Sequence, residues 1–210
     1  MEKAIKLWTV HRADFWDRLR ADGSIVADPA LVSAAYDGLG WAWRNAYAWM
    51  ASRTAERVPG RPRAGAMPLW AWQQWSSAAR PRPDLRCGGH LARGERGVRI
   101  GFTAESALLS DFDLWHFALN YWYIGESEED YDAFDAEVTS RGFDSCVQRP
   151  LPDAGLNARI KASWSRVFDL DRADPFYGSD RQRRADKCVQ ATLWRIELDA
   201  VTEATEFTAR

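Results

Sequence analysis

The stretch from Gly97 to Ile124 constrains the fold more than any other part of the chain, because it joins a strand pattern directly to an apolar helix pattern. Val98, Ile100 and Phe102 alternate with polar or small residues, which is typical of a strand with one buried face. Large apolar side chains then recur at helical spacing, at Phe112, Trp115, Leu119 and Trp122. A helix this apolar belongs between layers, so we expect this strand and helix to form the centre of the fold.

The start of this helix carries a polar stripe. Ser110 fits the capping position, and Asp113, three residues later, fits the acid of a capping box. Asp113, His116 and Asn120 then lie along one side of the helix. One interpretation is structural: Asp113 completes the cap, His116 bonds a backbone carbonyl and Asn120 bridges a loop. The other is catalytic: Asp111 and Asp113 orient His116 at the mouth of a pocket for proton transfer or ligand binding.

Tryptophan is unusually abundant, with twelve among 210 residues, and 46% of the chain is hydrophobic. That apolar content predicts a well-packed core, and the length suits a single domain over residues 1–210. Aromatic side chains in such number form flat contact surfaces as well as cores. Each tryptophan therefore has two alternative roles, packing in the core or stacking on a ligand.

Cysteine use and hydropathy exclude several classes of protein. Cys87, Cys146 and Cys188 are widely spaced without a CxxC pair, a pattern typical of reduced thiols. Cys87 and His90 have the spacing of half a metal site, but no second pair follows, so we expect no metal and no cofactor. The sequence shows no secretory leader and no apolar run long enough to cross a membrane. We therefore expect a cytoplasmic protein without a membrane partner.

Opposite charges are concentrated in two separate parts of the chain, although the net charge is only -2. Residues 53–99 are rich in arginine, and residues 126–137 are rich in glutamate and aspartate. If the arginines fold onto one face, they can bind phosphate or carboxylate there despite the nearly neutral total. The alternative is that arginine simply replaces lysine as the ordinary surface cation.

The remaining patterns predict a mixture of helices and strands. Strand patterns occur at 4–10, 24–27, 68–72, 98–103, 187–198 and 205–208, and helix patterns at 15–19, 30–58, 126–141 and 158–168. Residues 78–97 form a long loop, a kind of segment that is often functional. We predict an α+β fold with a mixed or mainly antiparallel β core wrapped by tryptophan-rich helices, with a small PUA-like barrel as one form of that core.

Motifs spread along the chain carry a family resemblance: LWT at 7–9, AYAWM at 46–50, WAW at 70–72, PDLR at 83–86, LLSDFDLWH at 108–116, FDLD at 168–171 and QATLW at 190–194. In these motifs the chain resembles the bacterial domain-of-unknown-function family number 3841 almost from end to end. The resemblance implies no activity. It marks the polar residues of the family pattern, which are Asp84, Arg86, Asp111, Asp113, His116, Asp169 and Gln190.

The order of the elements is also similar to PUA-like and ASCH-like barrels, the class of pseudouridine synthases and archaeosine transglycosylases. This architectural similarity implies binding of RNA or modified bases in an aromatic-lined cleft. The GKxxExR pattern of one branch is absent from the chain, and a fold alone does not establish a function.

The first functional hypothesis is recognition of a nucleotide, a nucleoside or RNA in an aromatic-lined cleft. Stacking a base on an aromatic side chain contributes about 1–3 kcal/mol, and an arginine can hold a phosphate with paired hydrogen bonds. The candidate ligand-binding residues are Trp8, Trp70, Trp72, Arg86, Trp115, Asn120 and Gln190.

Two alternatives belong to other classes. The chain can be an enzyme that acts on a small molecule or modified nucleotide, with Asp111 or Asp113 as base and His116 as proton partner. No nucleophile elbow, phosphate loop or metal-ligand motif indicates a mechanistic class. It can also be a protein-interaction component, such as half of a toxin–antitoxin pair, that docks through the acidic residues 126–137.

Overall fold

A six-stranded antiparallel sheet is the main feature of the computed structural model, which describes residues 4–28, 32–33, 37–173 and 183–210. The strands are β1 Ile5–Arg12, β2 Ser24–Val26, β3 Leu69–Gln74, β4 Arg96–Ala104, β5 Leu108–Asp111, β6 Val189–Leu193, β7 Arg195–Glu197 and β8 Val201–Thr208. The helices of the described residues are α1 Ala13–Asp22, α2 Trp41–Arg57, α3 Phe112–Leu119, α4 Glu128–Ser140 and α5 Ala154–Ser163, with 3-10 turns at Trp164–Phe168, Arg184–Asp186 and Leu198–Ala200. The predicted α+β class with an antiparallel core is confirmed.

The sheet has the strand order β5-β6-β3-β1-β4-β8, and β2 pairs with β7 in a separate ribbon. Its two faces pack against different elements. On one face, which we call the α1 face, Leu7 and Ile100 pack with Leu19 of α1 and Ile25 of β2. On the other, which we call the α2 face, Leu108 joins a second core cluster that includes residues of α2, α3, α4 and α5. The predicted central strand and apolar helix therefore both lie in the interior.

The sheet is strongly curled but open. Only residues 105–107 connect β4 to β5, although these strands occupy the fifth and first positions of the sheet order. Four residue steps reach at most about 14 Å, whereas four strand spacings of a flat sheet measure about 19 Å. The curl brings the two strands closer together, but the sheet still ends at β5 and β8. The sheet is therefore not a closed barrel, and the small PUA-like barrel expected as one form of the β core is not confirmed.

Two predicted elements are shorter or interrupted. The helix predicted at 30–58 includes α2, which begins only at Trp41 after a turn at Gly38; residues 29–31 and 34–36 lie outside the described part. The strand predicted at 187–198 divides into β6 and β7 at Trp194. Its indole Nε1 donates to the carbonyl of Val58 at 2.9 Å. The buried indole is anchored at the end of α2, and β7 pairs with β2 instead of continuing in the main sheet.

Candidate functional site

One row of the α2 face unites three of the predicted ligand-binding residues. The strand register places side by side Ser110, Gln190, Trp72, Trp8, Gly101 and Glu203. Trp8 is only 6% exposed, and its Nε1 donates to Oε1 of Glu203 at 2.8 Å. Trp72 is half-buried beside it. A ligand on this row would meet Trp72 more easily than Trp8.

Trp70 and Trp115 belong to an aromatic cluster between the sheet and the helices. Together with Tyr47 they form three ring pairs with centroids 5.4–5.8 Å apart. Trp115 is 2% exposed, and burial raises the pKa of Tyr47. The rings already pack against one another, two pairs edge-on and one tilted, so a flat ligand would have to displace a neighbour to reach Trp115.

Trp75 connects the row to an open cleft. Its ring meets Trp72 edge-on at 4.6 Å between centroids and lies 5.0 Å from the ring of His90. It lines a cleft of about 560 Å³, here called the arginine cleft. Four arginines line this cleft, namely Arg80, Arg82, Arg86 and Arg99. Asp84 also lines it, so the acidic and basic groups meet in one place.

The predicted long loop forms most of the arginine cleft, because tight turns fold it back beside the sheet. The amide of Trp75 donates to the carbonyl of Pro81 at 2.9 Å. The amide of Ser76 donates to the carbonyl of Arg80 at 3.2 Å. Proline fixes its own backbone angle φ, which favours such turns and prevents a strand from continuing. This turn holds the ring of Trp75 and the side chain of Arg80 at the same wall of the arginine cleft.

The arginines of the loop differ in how their charge is balanced. Arg86 is exposed and grips Asp84 with Nε at 2.9 Å and Nη2 at 2.6 Å, and this hydrogen bonding lowers the pKa of the Asp84 carboxyl below its usual range. Nη1 of Arg82 lies 3.7 Å from Oε2 of Glu203. The side chain of Arg80 makes no hydrogen bond or ion pair with the part of the chain that the structure describes.

Arg99 lies on β4 and is 9% exposed. Its Nη1 donates to the carbonyl of Pro83 at 2.9 Å, and its Nη2 to the hydroxyl of Thr205 at 3.4 Å. Its buried Nε makes no hydrogen bond with the described residues. Both partners are neutral, and burial, followed by the nearby Arg82, lowers the pKa of Arg99. A buried cation therefore lines the cleft without a carboxylate in direct contact among the described residues.

Sequence reasoning named Arg86 as the clamp and did not single out Arg80, Arg82, Arg99 or Trp75. A usable signal was present in β4. Arg99 stands between Gly97 and Gly101 on the same face of the strand, so small neighbours surround a single long cation. A Cβ at Gly101 would lie 2.6 Å from Cγ of Glu203, so the Glu203 side chain occupies the space above this glycine.

The Asp111 carboxylate has a structural environment. Its Oδ1 accepts from the amides of Asp113 and Leu114 at 3.0 and 3.2 Å, so Asp111 is the cap of α3. Its Oδ2 lies 3.0 Å from Nζ of Lys187, and both side chains are almost completely buried. The prediction that Ser110 caps this helix is wrong, because the chain is still extended in β5 at that residue.

His116 and Asn120 both bond to the helix backbone. Nδ1 of His116 lies 2.9 Å from the carbonyl oxygen of Phe112, and the amide of Asn120 donates to the carbonyl of His116 at 2.8 Å. Asp113 has a half-buried side chain at the first turn. The His116 contact is the one that the structural interpretation expected, whereas Asn120 bonds to its own helix rather than bridging a loop. The catalytic role of Asp111, Asp113 and His116 stays a prediction.

Two adjacent polar atoms on the α2 face lack partners among the described residues. They are Oγ of Ser110 and Oε1 of Gln190, which lie on paired positions of β5 and β6. Gln190 also pairs in register with Trp72. The predicted ligand role of Gln190 is thus compatible with its place, at the sheltered end of the row that leads to Trp75.

Two other clefts have similar volumes of about 580 and 560 Å³. The charged residues that line these two clefts are all exposed. They are Asp37, Arg44, Arg63, Glu105, Arg195, Glu197 and Asp199. Solvent stabilises such charges without any ligand. The arginine cleft is therefore the strongest candidate site, since it contains the buried Arg99.

Ion pairs within the chain involve part of the acidic segment 126–137. Glu137 in α4 is paired with Arg141 and Arg159, and Glu126 with Arg166, so part of the acidic charge is neutralised within the chain.

Across the described ranges, no cluster of three or more metal-ligating side chains occurs. No helix in those ranges has both the length and the apolar character that a membrane crossing requires.

Comparison with known proteins identifies a family without assigning an activity. A search of curated proteins and a search of solved structures each found no match. A family model described as "Domain of unknown function (DUF3841)" matches residues 6–202, nearly the whole chain. The chain therefore belongs to the DUF3841 family.

Proposed function

We propose that the protein recognises a nucleotide or RNA, with the phosphate bound in the arginine cleft and a base stacked on Trp75. The observation that carries this proposal is the state of Arg99, a nine-tenths buried guanidinium whose Nε has no partner, and whose other nitrogens have neutral partners, among the residues that the structure describes. Burying a charge is unfavourable unless it is paired. A bound phosphate supplies the missing negative charge and accepts from several guanidinium donors at once.

The chemistry of the cleft wall supports a nucleotide rather than a simple carboxylate. Trp75 presents an aromatic surface next to the arginines, and stacking of one base contributes about 1–3 kcal/mol. Arginine pairs with phosphate through two parallel hydrogen bonds. In this proposal Trp75 replaces the buried Trp8 and Trp115 as the stacking residue, while Arg86 keeps the clamp role.

Isothermal titration calorimetry with adenosine 5′-monophosphate and with a short single-stranded RNA tests the proposal. Arg99→Gln removes the buried charge, and Arg96→Gln on the same strand is the matched control, since Arg96 is exposed and pairs with Glu206 outside the cleft. A hydrogen bond to a charged group contributes about 1.5–3 kcal/mol. We therefore expect Arg99→Gln to weaken binding about tenfold or more and Arg96→Gln to leave it unchanged.

A second variant protects the test against unfolding of the first. Arg80 is exposed and without a partner in the described residues, so Arg80→Gln should fold normally and still weaken binding. Trp75→Leu should weaken the nucleotide but not inorganic phosphate. If wild-type protein binds neither nucleotide nor RNA at low salt, or if both arginine variants bind as wild type does, the proposal is refuted.

The cytoplasm is the proposed place of action, in keeping with three cysteines that form no disulfide bond. Affinity for RNA is expected to fall steeply with salt, because each bound phosphate releases counterions. Affinity for a mononucleotide is expected to fall less, because it makes fewer phosphate contacts. Titrations at low and high salt therefore separate the two ligands.

A further inference from the structure

We infer that the arginine cleft is selective for a phosphate monoester, the dianionic end of a nucleotide or of a 5′-phosphorylated RNA, over a phosphodiester. This inference rests on the proposed function. Four guanidinium groups line the cleft, and two carboxylates stand against them, Asp84 beside Arg86 and Glu203 near Arg82. Within the described residues, two positive charges of the cleft are left without a carboxylate partner. A phosphate monoester carries about two negative charges near neutral pH, whereas a diester carries one.

The unused donors are distributed in a way that suits a terminal phosphate. Arg99 brings its guanidinium to the buried wall, where its Nε has no partner among the described residues, and Arg80 extends a guanidinium without a partner in those residues from the turn of the loop. Asp84 engages Nε and Nη2 of Arg86, which leaves Nη1 available. A monoester has three terminal oxygens that can each accept from a different arginine, whereas a diester has two. Donors from three side chains therefore match a monoester more completely.

Adenine ligands that share base and sugar but differ in charge provide the test. Adenosine carries no phosphate, adenosine 3′,5′-cyclic monophosphate carries one negative charge, and adenosine 5′-monophosphate carries about two at pH 7.5. We expect the 5′-monophosphate to bind at least tenfold more tightly than the cyclic diester in calorimetric titrations at constant ionic strength. Adenosine should bind more weakly than either.

The same comparison on RNA distinguishes a free nucleotide from an RNA end. One oligoribonucleotide is titrated with a 5′-hydroxyl and with a 5′-phosphate. A tighter complex with the phosphorylated form identifies an RNA end as a ligand, while selectivity confined to mononucleotides identifies a free nucleotide. Both results support the monoester inference. Equal affinity for monoester and diester in both series overturns it and leaves the proposed function intact. Absence of binding by every ligand overturns both.

Variants at opposite charges test the balance itself. Asp84→Asn removes one of the two carboxylates but keeps an oxygen that can accept from the amide of Arg86, as Oδ1 does at 3.0 Å. We expect the monoester to bind several-fold more tightly to this variant. Arg80→Gln should weaken the monoester more than the diester, while the control Arg96→Gln should change neither. Equal loss of both ligands in Arg80→Gln, or weaker monoester binding in Asp84→Asn, would contradict the inference.

Discussion

The buried pair of Lys187 and Asp111 gives the sharpest stability prediction. The two side chains are 1% and 3% exposed, with Nζ and Oδ2 3.0 Å apart. Asp111→Asn leaves the ammonium of Lys187 buried without its carboxylate partner. No well-aligned hydrogen bond from Nζ to another described residue compensates for that loss. Removing one partner of a buried pair typically costs about 3–5 kcal/mol. We expect this variant to lie at the upper end.

Lys187→Met should cost less than Asp111→Asn. The carboxylate that it leaves behind keeps the amides of Asp113 and Leu114 as donors and lies at the N-terminus of α3, where a negative charge is stabilised by about 0.3–1 kcal/mol. We therefore expect a loss of about 3 kcal/mol. Asparagine caps a helix about as well as aspartate, so loss of the cap does not complicate the comparison.

The double variant completes the cycle. Asp111→Asn with Lys187→Met removes both charges, so it should be more stable than Asp111→Asn alone. The assay is urea denaturation followed by far-ultraviolet circular dichroism, with the free energy of unfolding extrapolated to water. The exposed pair Arg96–Glu206 serves as control, and its coupling energy should stay below about 1 kcal/mol.

A loss of less than about 1 kcal/mol in the free energy of unfolding of either single variant would contradict the predicted buried ion pair. So would two losses that simply add in the double variant. The same experiment bears on the hypothesis of an acid–base enzyme. A carboxylate whose two oxygens hold a helix and an ammonium is committed to the fold, so loss of stability on its removal favours the structural role of Asp111. A stable Asp111→Asn variant would revive the catalytic role.

Three further results are expected. Burial lowers the pKa of His11 to about 4 from about 6.5 in the unfolded chain. Because the unfolded chain then takes up a proton more readily than the folded protein, the free energy of unfolding should be full above pH 6.5 and fall by about 2–3 kcal/mol toward pH 4. Urea denaturation at several pH values should show a smaller fall for His11→Gln. Gly101→Ala should cost about 1–3 kcal/mol, because the new Cβ displaces Glu203; an unchanged thermal midpoint would contradict this. The hydroxyls of Thr54 and Thr192 lie 2.8 Å apart, and the Thr54 hydroxyl donates to the carbonyl of Met50. The Thr192 hydroxyl must therefore donate to the Thr54 oxygen. Because Thr54→Val removes both hydrogen bonds, it should lower the free energy of unfolding by about 1 kcal/mol more than Thr192→Val does in urea denaturation.

Periodicity alone predicted most of the elements that build the fold. The alternation of Val98, Ile100 and Phe102 identified β4, and the spacing of Trp115 and Leu119 identified α3. The four residues of β5 were missed, because a strand this short shows too few alternations to be distinguished from the start of the next helix. That omission also misplaced the helix cap by one residue. Local patterns do not show where the backbone changes from extended to helical.

The site was less predictable, because it depends on pairings distant in sequence. Arg82 and Glu203 meet only after β8 has paired with β4, and nothing near either residue indicates this contact. Trp75 reaches the cleft because the loop turns back at Pro81. The long loop and its arginines were evident in the sequence, but which cation becomes buried is decided by the glycine-flanked position of Arg99 on β4.

The core accounts for several of the tryptophans. Trp8, Trp164 and Trp194 are buried, and each indole N–H has an acceptor within the chain. Their hydrogen-bonding capacity is satisfied, so no ligand is needed to explain their burial. Arg99 is the opposite case, since within the described ranges it is buried with more donors than partners and no anion in contact. An unsatisfied buried cation is costly to the folded protein, and a bound anion would reduce that cost, so the proposal of a ligand depends on Arg99 rather than on the aromatic side chains.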